Sequence, residues 1–504
     1  MKQVNLPAAL RAAEPLAAAF FGVVLVGFIV ATHRMIGFAV STSDFQDYCF
    51  ALKSYGAGRM DLWPSQRTVL AGLPAALLTP RLGTLGALTT AALLDTFGWM
   101  LALYAWAWAL GGRRAAWFTL AWVALFGPLV LLTRTISFYP TIALVQVGAA
   151  AAVAGALARG SKGWLAAAAV ALGLLPLADL RSVLFLLALL PTAILAGLVA
   201  PGSWKVKLLA TAAPIAAVAL AWRFGGWAYP ASSASLQSAV FRYAQDAASL
   251  AGVSWTPPDG ERSPAFRWAH GSPGTLRDAV EYLRAVDASR PAALVSRAAL
   301  APHARELQAM FPLVGVGAVF AVVALRRPRA LAAFLLTATP FLLVLRSALT
   351  TLPHPRQLAL GVFVFPLVLG LGCAGVLQLA AALRRFVQVR RGNPSPPGLS
   401  HLDRGVAAAF LLFVLLVVTG ALPTPFRPDA RWRAALTAED EPRESIAVAK
   451  RLLGGSGGAA PPERMCAAPL RDDAEAGFPL TIPWFPEAPG PNAPTTETRT
   501  VPVR

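Results

Sequence analysis

Charged side chains are scarce in this sequence. They make up 14% of its 504 residues, whereas an average soluble domain carries about 25%. Apolar runs of about 20 residues stand in their place, and such runs are long enough to cross a hydrocarbon core of about 30 Å. The shortage of charge argues against a soluble enzyme and predicts an all-α polytopic membrane protein.

Residues that usually bind metals are also few. The three cysteines, Cys49, Cys373 and Cys466, show no CxxC spacing, and the five histidines form no HExxH pair. No metal site and no certain cofactor are predicted; a divalent metal stays open but has no support in the sequence. A disulfide between Cys49 and Cys466 stays open, because sequence alone does not fix the distance between them.

The apolar runs predict about eleven membrane-spanning helices. We expect residues 1–422 to form one transmembrane module, with a first outer loop at about 34–84 and a long outer loop at about 225–307, both carrying short helices on the outer face. Residues 423–504 are expected to form a small extracytoplasmic tail, partly disordered. The predicted spans lie near 15–33, 85–110, 115–133, 138–158, 164–178, 183–200, 208–224, 308–325, 330–348, 358–382 and 405–422.

Basic residues alternate along the chain. The segments predicted to face the cytoplasm hold 16 Lys and Arg residues against two acids, Glu14 and Asp403, as the positive-inside rule requires. The pattern predicts a cytoplasmic N-terminus and an extracytoplasmic C-terminus. It accounts for most of the net charge of +19 without a nucleic-acid partner.

Two carboxylates, Asp44 and Asp47, lie in the early part of the first predicted outer loop. An amphipathic pattern that includes Tyr48 and Leu52 follows them, and a glycine break that includes Gly58 comes next. The carboxylates are three residues apart, so they would share one face of a helix. They are candidate general bases toward a hydroxyl. The alternative is a solvated helix start, where the helix dipole favours acidic side chains.

Several basic side chains are predicted at the outer ends of spans, where the positive-inside rule disfavours them. Guanidinium groups bind phosphate oxygens through paired hydrogen bonds, which suggests a site for a lipid phosphate or pyrophosphate. The alternative is that each arginine snorkels to a headgroup or caps a helix end. The candidate phosphate-binding residues are Arg134, Arg181, Arg346, His354 and Arg356.

Two further features lie inside predicted spans. Asp95 interrupts an apolar run, where a charge is costly and often functional. It could instead lie near the outer end of a shorter span, and both interpretations stay open. Residues 370–375 match the spacing GxGxxG, but no strand precedes them, so small-residue helix packing is predicted in place of a dinucleotide site.

These motifs together resemble the C-type (GT-C) superfamily of polytopic glycosyltransferases, and within it the protein-mannosyltransferase and aminoarabinose-transferase-like branch. Two positions depart from the family pattern: Arg134 lies in the outer turn where the family often has a second acid, and Gln357 replaces the tyrosine of an Arg-Tyr pair. The similar motifs are the loop from Asp44 to Leu52, the run 73–83 like the family's membrane-surface helix, the inner turn 111–116, and His354-Pro355-Arg356-Gln357.

The resemblance implies transfer of a sugar from a polyprenyl-phosphate-linked donor to an acceptor at the extracytoplasmic face, with inversion at the anomeric centre. Asp44 would be the general base, and Asp47 its helper or the alternative base. Arg356, Arg346 and His354 would face the phosphate of the lipid donor. The implied partners are the lipid-linked sugar, membrane lipid, and an acceptor that is a lipid, a glycan or a protein.

Richness in Ala, Arg and Pro suggests a GC-rich bacterial genome, and hence an inner-membrane protein with periplasmic loops. Two other classes of function remain open. A transporter or flippase would place polar or charged residues at mid-membrane, where the spans offer little apart from Asp95. A non-catalytic scaffold of the same fold would use the long loop and the tail as docking surfaces.

Overall fold

The computed structural model describes five ranges and a few single positions, and every regular element in those ranges is an α-helix. The ranges are 68–123, 137–179, 182–225, 310–350 and 360–390, with Tyr48, Ala51, Leu52, Tyr55, Gly56, Gly58, Phe126, Leu129 and Leu132 besides. The predicted spans 15–33 and 405–422, the long loop, the tail and the Cys49–Cys466 pair lie outside the described residues. The helices are α1 (Val69–Gly111), α2 (Arg113–Val123), α3 (Tyr139–Arg159), α4 (Lys162–Ala178), α5 (Val183–Leu198), α6 (Trp204–Phe224), α7 (Phe311–Ala324), α8 (Pro328–Thr350) and α9 (Val364–Arg390).

Eight of the predicted spans coincide with α1 and α3 to α9. Three shorter apolar helices accompany the long ones, and they correspond to α4, α5 and α7. The stretches long and apolar enough to cross a membrane are Gly86–Gly111, Tyr139–Arg159, Trp204–Arg223, Pro328–Leu345 and Leu360–Leu383.

The span predicted near 115–133 contains an interruption between α2 and the helical positions Leu129 and Leu132. Helix α2 ends at Val123, and turn bonds follow from Phe126 N to Val123 O and from Leu129 N to Phe126 O. The sequence reason is Pro128, because proline has no N–H to donate and disfavours a helical conformation in the residue before it.

A kink divides α1 into two parts. The helix begins after Thr68, whose side chain accepts a hydrogen bond from Ala71 N, and Gly83 breaks the helical conformation with φ 67° and ψ 172°. A positive φ of this size favours glycine, because other residues would clash with their own backbone. The break agrees with a helix over 73–83 that leads into the second span.

Helix α3 lies at the centre of the bundle and packs against α1, α4, α5 and α8. Its middle is built of alanine, and the run Ala149–Leu157 is buried throughout. Small side chains allow helices to approach closely where lipid supplies no hydrophobic driving force. Helix α6 lies at the periphery, where Leu209 is 70% exposed on a surface that suits lipid.

The glycines of the GxGxxG match are packed against neighbouring helices. A Cβ atom at Gly372 would lie 2.6 Å from the carbonyl oxygen of Gly317 on α7, and one at Gly375 would overlap the carbonyl oxygen of Phe320. A Cβ at Gly370 would overlap Thr119 on α2. The predicted role in helix packing is confirmed.

The bundle has two chemically different ends. Helices α1 and α3 run in the same direction, because Asp95 contacts Thr141 earlier in both helices and Trp108 contacts Arg159 near the end of both. We call the end where α1 and α3 finish the basic end, and the end where α3 begins the polar end. Exposed basic residues lie at the basic end: Arg113, Arg114, Arg159, Lys162, Lys205, Arg326, Arg327 and Arg329.

Candidate functional site

Buried polar side chains gather at the polar end, where α1, α3, α4 and α5 meet. Thr68 precedes α1, and its hydroxyl donates to the carbonyl of Ala178 at the end of α4 at 2.5 Å. Ten polar or charged side chains are buried within the described ranges, and seven belong to this region. They are Thr68, Asp95, Thr96, Ser137, Thr141, Gln146 and Ser182.

Asp95 is the one buried charged side chain in the described part of the chain, with 6% of its surface exposed. The hydroxyl of Thr141 donates to Asp95 Oδ2 at 2.5 Å. The residue lies inside the candidate span Gly86–Gly111, about 24 Å from Gly111 at 1.5 Å per residue. The contact with Thr141 places the carboxylate in the interface between α1 and α3.

Helices α1 and α3 are in register around this pair. Gly98 lies one turn beyond Asp95, and a Cβ there would be 3.0 Å from the side chain of Leu144, one turn beyond Thr141. The absence of a side chain at Gly98 lets the helices approach. Close approach is what allows the short Thr141 hydroxyl to reach the carboxylate.

A second polar pair lies deeper in the cluster. Gln146 Nε2 donates to the hydroxyl of Ser182 at 2.9 Å, which joins α3 to the start of α5. Gln146 Oε1 is buried and accepts no hydrogen bond from the residues that the structure describes. A buried acceptor without a donor is costly. A water or a ligand hydroxyl that donates a hydrogen bond to this oxygen would remove that cost.

Aromatic rings close the cluster from below. Trp99, one turn beyond Asp95, packs edge-on against Phe363, just before α9, with ring centroids 5.1 Å apart. The ring of Phe363 also packs edge-on against that of Phe341 in α8, with centroids 6.3 Å apart. All three side chains are fully buried, so Asp95 lies above an apolar floor where electrostatic interactions are strong.

The first outer loop is anchored on this end. Tyr48 is 1% exposed and packs on Phe138, just before α3, with ring centroids 4.4 Å apart. Leu52 is also buried, and Gly58 has a φ of +68°. The predicted amphipathic pattern and the glycine break are confirmed at these positions.

The residues predicted to bind and react lie almost entirely outside the described residues. This applies to Asp44, Asp47, Arg134, Arg181, His354 and Arg356. Arg346 belongs to α8, one position beyond the buried Leu345, and its side chain is outside the described set. Their predicted roles are not tested by the described part of the structure.

Metal ligands do not gather in the described ranges. No three His, Cys, Asp or Glu side chains come together there, and the carboxylates in those ranges are Asp95 and Asp179. Cys373 is half-buried with a free thiol, which accepts a hydrogen bond from Trp122 Nε1 at 3.5 Å. This contact joins α2 to α9 and is structural.

No family model and no curated protein sequence matches the chain significantly. Solved structures do match. The oligosaccharyltransferase of Archaeoglobus fulgidus in its apo form gives a TM-score of 0.52 at 12% identity, over 90% of this chain and 61% of that chain. AglB from the same organism, in complex with an inhibitory peptide and a dolichol-phosphate, gives 0.50 at 13% identity over the same shares. ArnT from Cupriavidus metallidurans gives 0.42 at 14% identity, over 85% of this chain and 75% of that chain.

These likenesses establish the fold. The chain has the membrane-helix fold of the archaeal oligosaccharyltransferase, in agreement with the GT-C-like fold that the loop and span motifs predict. It is a multi-pass membrane protein. It matches about three fifths of the length of the archaeal oligosaccharyltransferase, at 61%, and identities this low extend no further than the fold.

Sequence inspection missed Thr141, Gln146 and Ser182. Gln146 gives a signal in retrospect, because it is an amide in the middle of an apolar run. Thr141 and Ser182 give none, since hydroxyl residues are common in membrane helices and at their ends.

Proposed function

We propose that this protein transfers a sugar from a polyprenyl-phosphate-linked donor to an acceptor at the polar end of its bundle. The observation that carries the proposal is the fold likeness over 90% of the chain to an oligosaccharyltransferase whose structure holds a dolichol-phosphate. The buried carboxylate and amide at one end of an otherwise apolar bundle support it, because polar groups inside a membrane are costly and usually functional.

Chain continuity supports the placement of the predicted residues at that end. Asp47 directly precedes the buried Tyr48, and Arg181 directly precedes the buried Ser182. A trans peptide holds consecutive Cα atoms about 3.8 Å apart. By the same connectivity, Arg134, Arg346, His354 and Arg356 each lie within six residues of a described, buried residue at the polar end.

The proposed chemistry is a direct displacement. Asp44 accepts the proton of the acceptor's nucleophilic group as that group attacks the anomeric carbon, with Asp47 as its helper or the alternative base. The bond from the anomeric carbon to the phosphate oxygen breaks, and the lipid phosphate leaves. Arg356 offsets the charge that develops on that phosphate, and the other predicted basic residues hold it.

Asp95 has a different place in this proposal. It lies within the span and is held by Thr141, so it is suited to orienting hydroxyl groups of the donor sugar. Gln146 Oε1 offers a further acceptor beneath it. We place the polar end outside the cytoplasm because of the charge distribution of the sequence, and in the plasma membrane of a bacterium because of the richness in Ala, Arg and Pro.

The test is binding of undecaprenyl phosphate and dolichyl phosphate to the purified full chain in detergent, compared with Arg356→Ala and Asp44→Asn. We expect Arg356→Ala to weaken binding about tenfold or more, the loss of one charge-assisted contact. Arg81→Ala is the matched control, because Arg81 is an exposed arginine on the first part of α1 outside the predicted set. Asp44→Asn is expected to keep binding.

Sugar transfer from the lipid-linked donor then separates the two carboxylates. Asp44→Asn should abolish transfer, and Asp47→Asn should reduce it less. Unchanged transfer by Asp44→Asn would remove that residue from the role of base. If the wild type does not bind either lipid phosphate, the scaffold function takes the place of the enzyme.

A further inference from the structure

The basic end carries positive charge that no described acid balances. The described ranges contain two carboxylates, Asp95 and Asp179, and both belong to the polar end. From position 96 to position 178 the sequence has no Asp or Glu at all. Counter-charge for the described part of the basic end must therefore come from outside those ranges.

Arg159 is held in one orientation at this end. Its guanidinium lies over the ring of Trp108, with Cζ 4.2 Å from the ring centroid, and Nη2 donates to the carbonyl oxygen of Trp108. The ring of Trp164 lies beside Trp108, with centroids 6.1 Å apart. Stacking fixes the plane of the guanidinium and leaves further N–H donors available.

Arg327 adds a second positive charge at the end of α3 where Arg159 lies, because it directly precedes α8 and α8 packs against α3. Both side chains are exposed. Arg327 precedes α8, and Ser161, just beyond Arg159, caps α4 by accepting from Trp164 N. Two helix N-termini, which carry partial positive charge, therefore begin near the same two arginines.

The tryptophans indicate what surrounds this site. Trp108 and Trp164 are half-buried, and Trp204 at the start of α6 is 69% exposed. Tryptophan is enriched where hydrocarbon meets the headgroup layer. The basic end thus lies at the depth of lipid headgroups, where phosphate is the abundant anion.

We propose that Arg159 and Arg327 bind the phosphate of an anionic phospholipid in the leaflet at the basic end, with Trp108 and Trp164 against its glycerol and upper acyl chains. An anion bound by both guanidinium groups offsets the repulsion between two like charges at this end. The site is at the opposite end from the proposed donor site and does not depend on it.

The experiment measures dioleoyl phosphatidylglycerol and dioleoyl phosphatidylcholine binding to the full chain by native mass spectrometry. A basic residue that contacts the bound headgroup contributes about fivefold in affinity, so Arg159→Gln with Arg327→Gln should lose about thirtyfold for phosphatidylglycerol. The matched control is Lys205→Gln with Lys207→Gln, which removes the same charge at the same end. We expect the control to lose less than about threefold, because the lysines are outside the proposed site.

Two single variants protect the test against misfolding, since Arg159 also caps α1. Arg327→Gln leaves the contact with Trp108 in place and should lose about fivefold. Arg159→Lys keeps the charge but loses the planar stack, and should also bind less tightly. Equal losses in both double variants would mean diffuse attraction and overturn the site. So would equal binding of the two lipids by the wild type, or displacement of phosphatidylglycerol by an equal concentration of inorganic phosphate.

Discussion

Thr141→Val is the substitution that most directly probes the buried carboxylate. Valine has nearly the shape of threonine, so the change removes the hydroxyl that donates to Asp95 Oδ2 and little else. Thr141 is 7% exposed and Asp95 is 6% exposed, which leaves little room for water to replace the donor. The carboxylate would then stay buried without its described hydrogen bond.

The magnitude depends on the charge of Asp95. Hydrogen bonds between side chains of membrane helices contribute on average about 0.6 kcal/mol and at most about 1.7. A hydrogen bond to a charged group contributes about 1.5–3 kcal/mol. We expect Thr141→Val to lower the free energy of unfolding by about 1.5–2 kcal/mol in the wild type, and by about 0.6 in the Asp95→Asn background, where the partner is neutral.

The assay is reversible unfolding in mixed micelles, with the four proteins of the double-mutant cycle measured together. Thr96→Val is the control, because Thr96 is equally buried and its hydroxyl donates only within α1, to Ala92 O at 2.6 Å. Thr96→Val should lower the free energy of unfolding by less than Thr141→Val does. If Thr141→Val costs the same in both backgrounds, the hydrogen bond does not involve a charged carboxylate, and the reasoning is refuted.

Two further predictions concern packing and the buried amide. Gly375→Ala should lower the free energy of unfolding by about 1–3 kcal/mol, because its Cβ would overlap the carbonyl of Phe320. Gly315→Ala, with nothing within 4 Å, should raise it by up to about 1 kcal/mol through helix propensity; the same sign for both would contradict the packing. Ser182→Ala should lower the free energy of unfolding by more than Gln146→Leu does in the same assay. Ser182→Ala leaves the whole amide of Gln146 buried without a partner, whereas Gln146→Leu removes that amide together with its unpaired Oε1. The reverse order would mean that water already satisfies this amide.

The positions of the helices could be predicted from the sequence because the membrane demands long apolar runs, and those runs are visible. The kink in α1 and the glycine packing of α9 were also predictable. Glycine in an apolar helix has few roles, and no strand precedes residues 370–375. The interruption after α2 could have been predicted from Pro128, but the span was assigned from its apolar run alone.

The hydrogen bond of Thr141 could not be predicted. Threonines in membrane helices commonly bond to the carbonyl four residues earlier, and Thr79, Thr96, Thr119, Thr192 and Thr337 do so here. Thr141 is the third residue of α3, where no helical carbonyl lies four residues back. Its hydroxyl is therefore free to reach another helix, and only the packing of α3 on α1 decides which group it meets.

The small residues of the core make the polar cluster possible, because they let the helices approach closely. An exposed carboxylate needs no partner, but one inside a membrane needs a donor within about 3 Å. Threonine is short, so the backbones of α1 and α3 must approach closely for Thr141 to serve Asp95. Gly98 permits that approach one turn below the pair, and the small residues of α3 extend it toward the basic end. A larger side chain at Gly98 would act on the site through helix spacing, without touching the carboxylate.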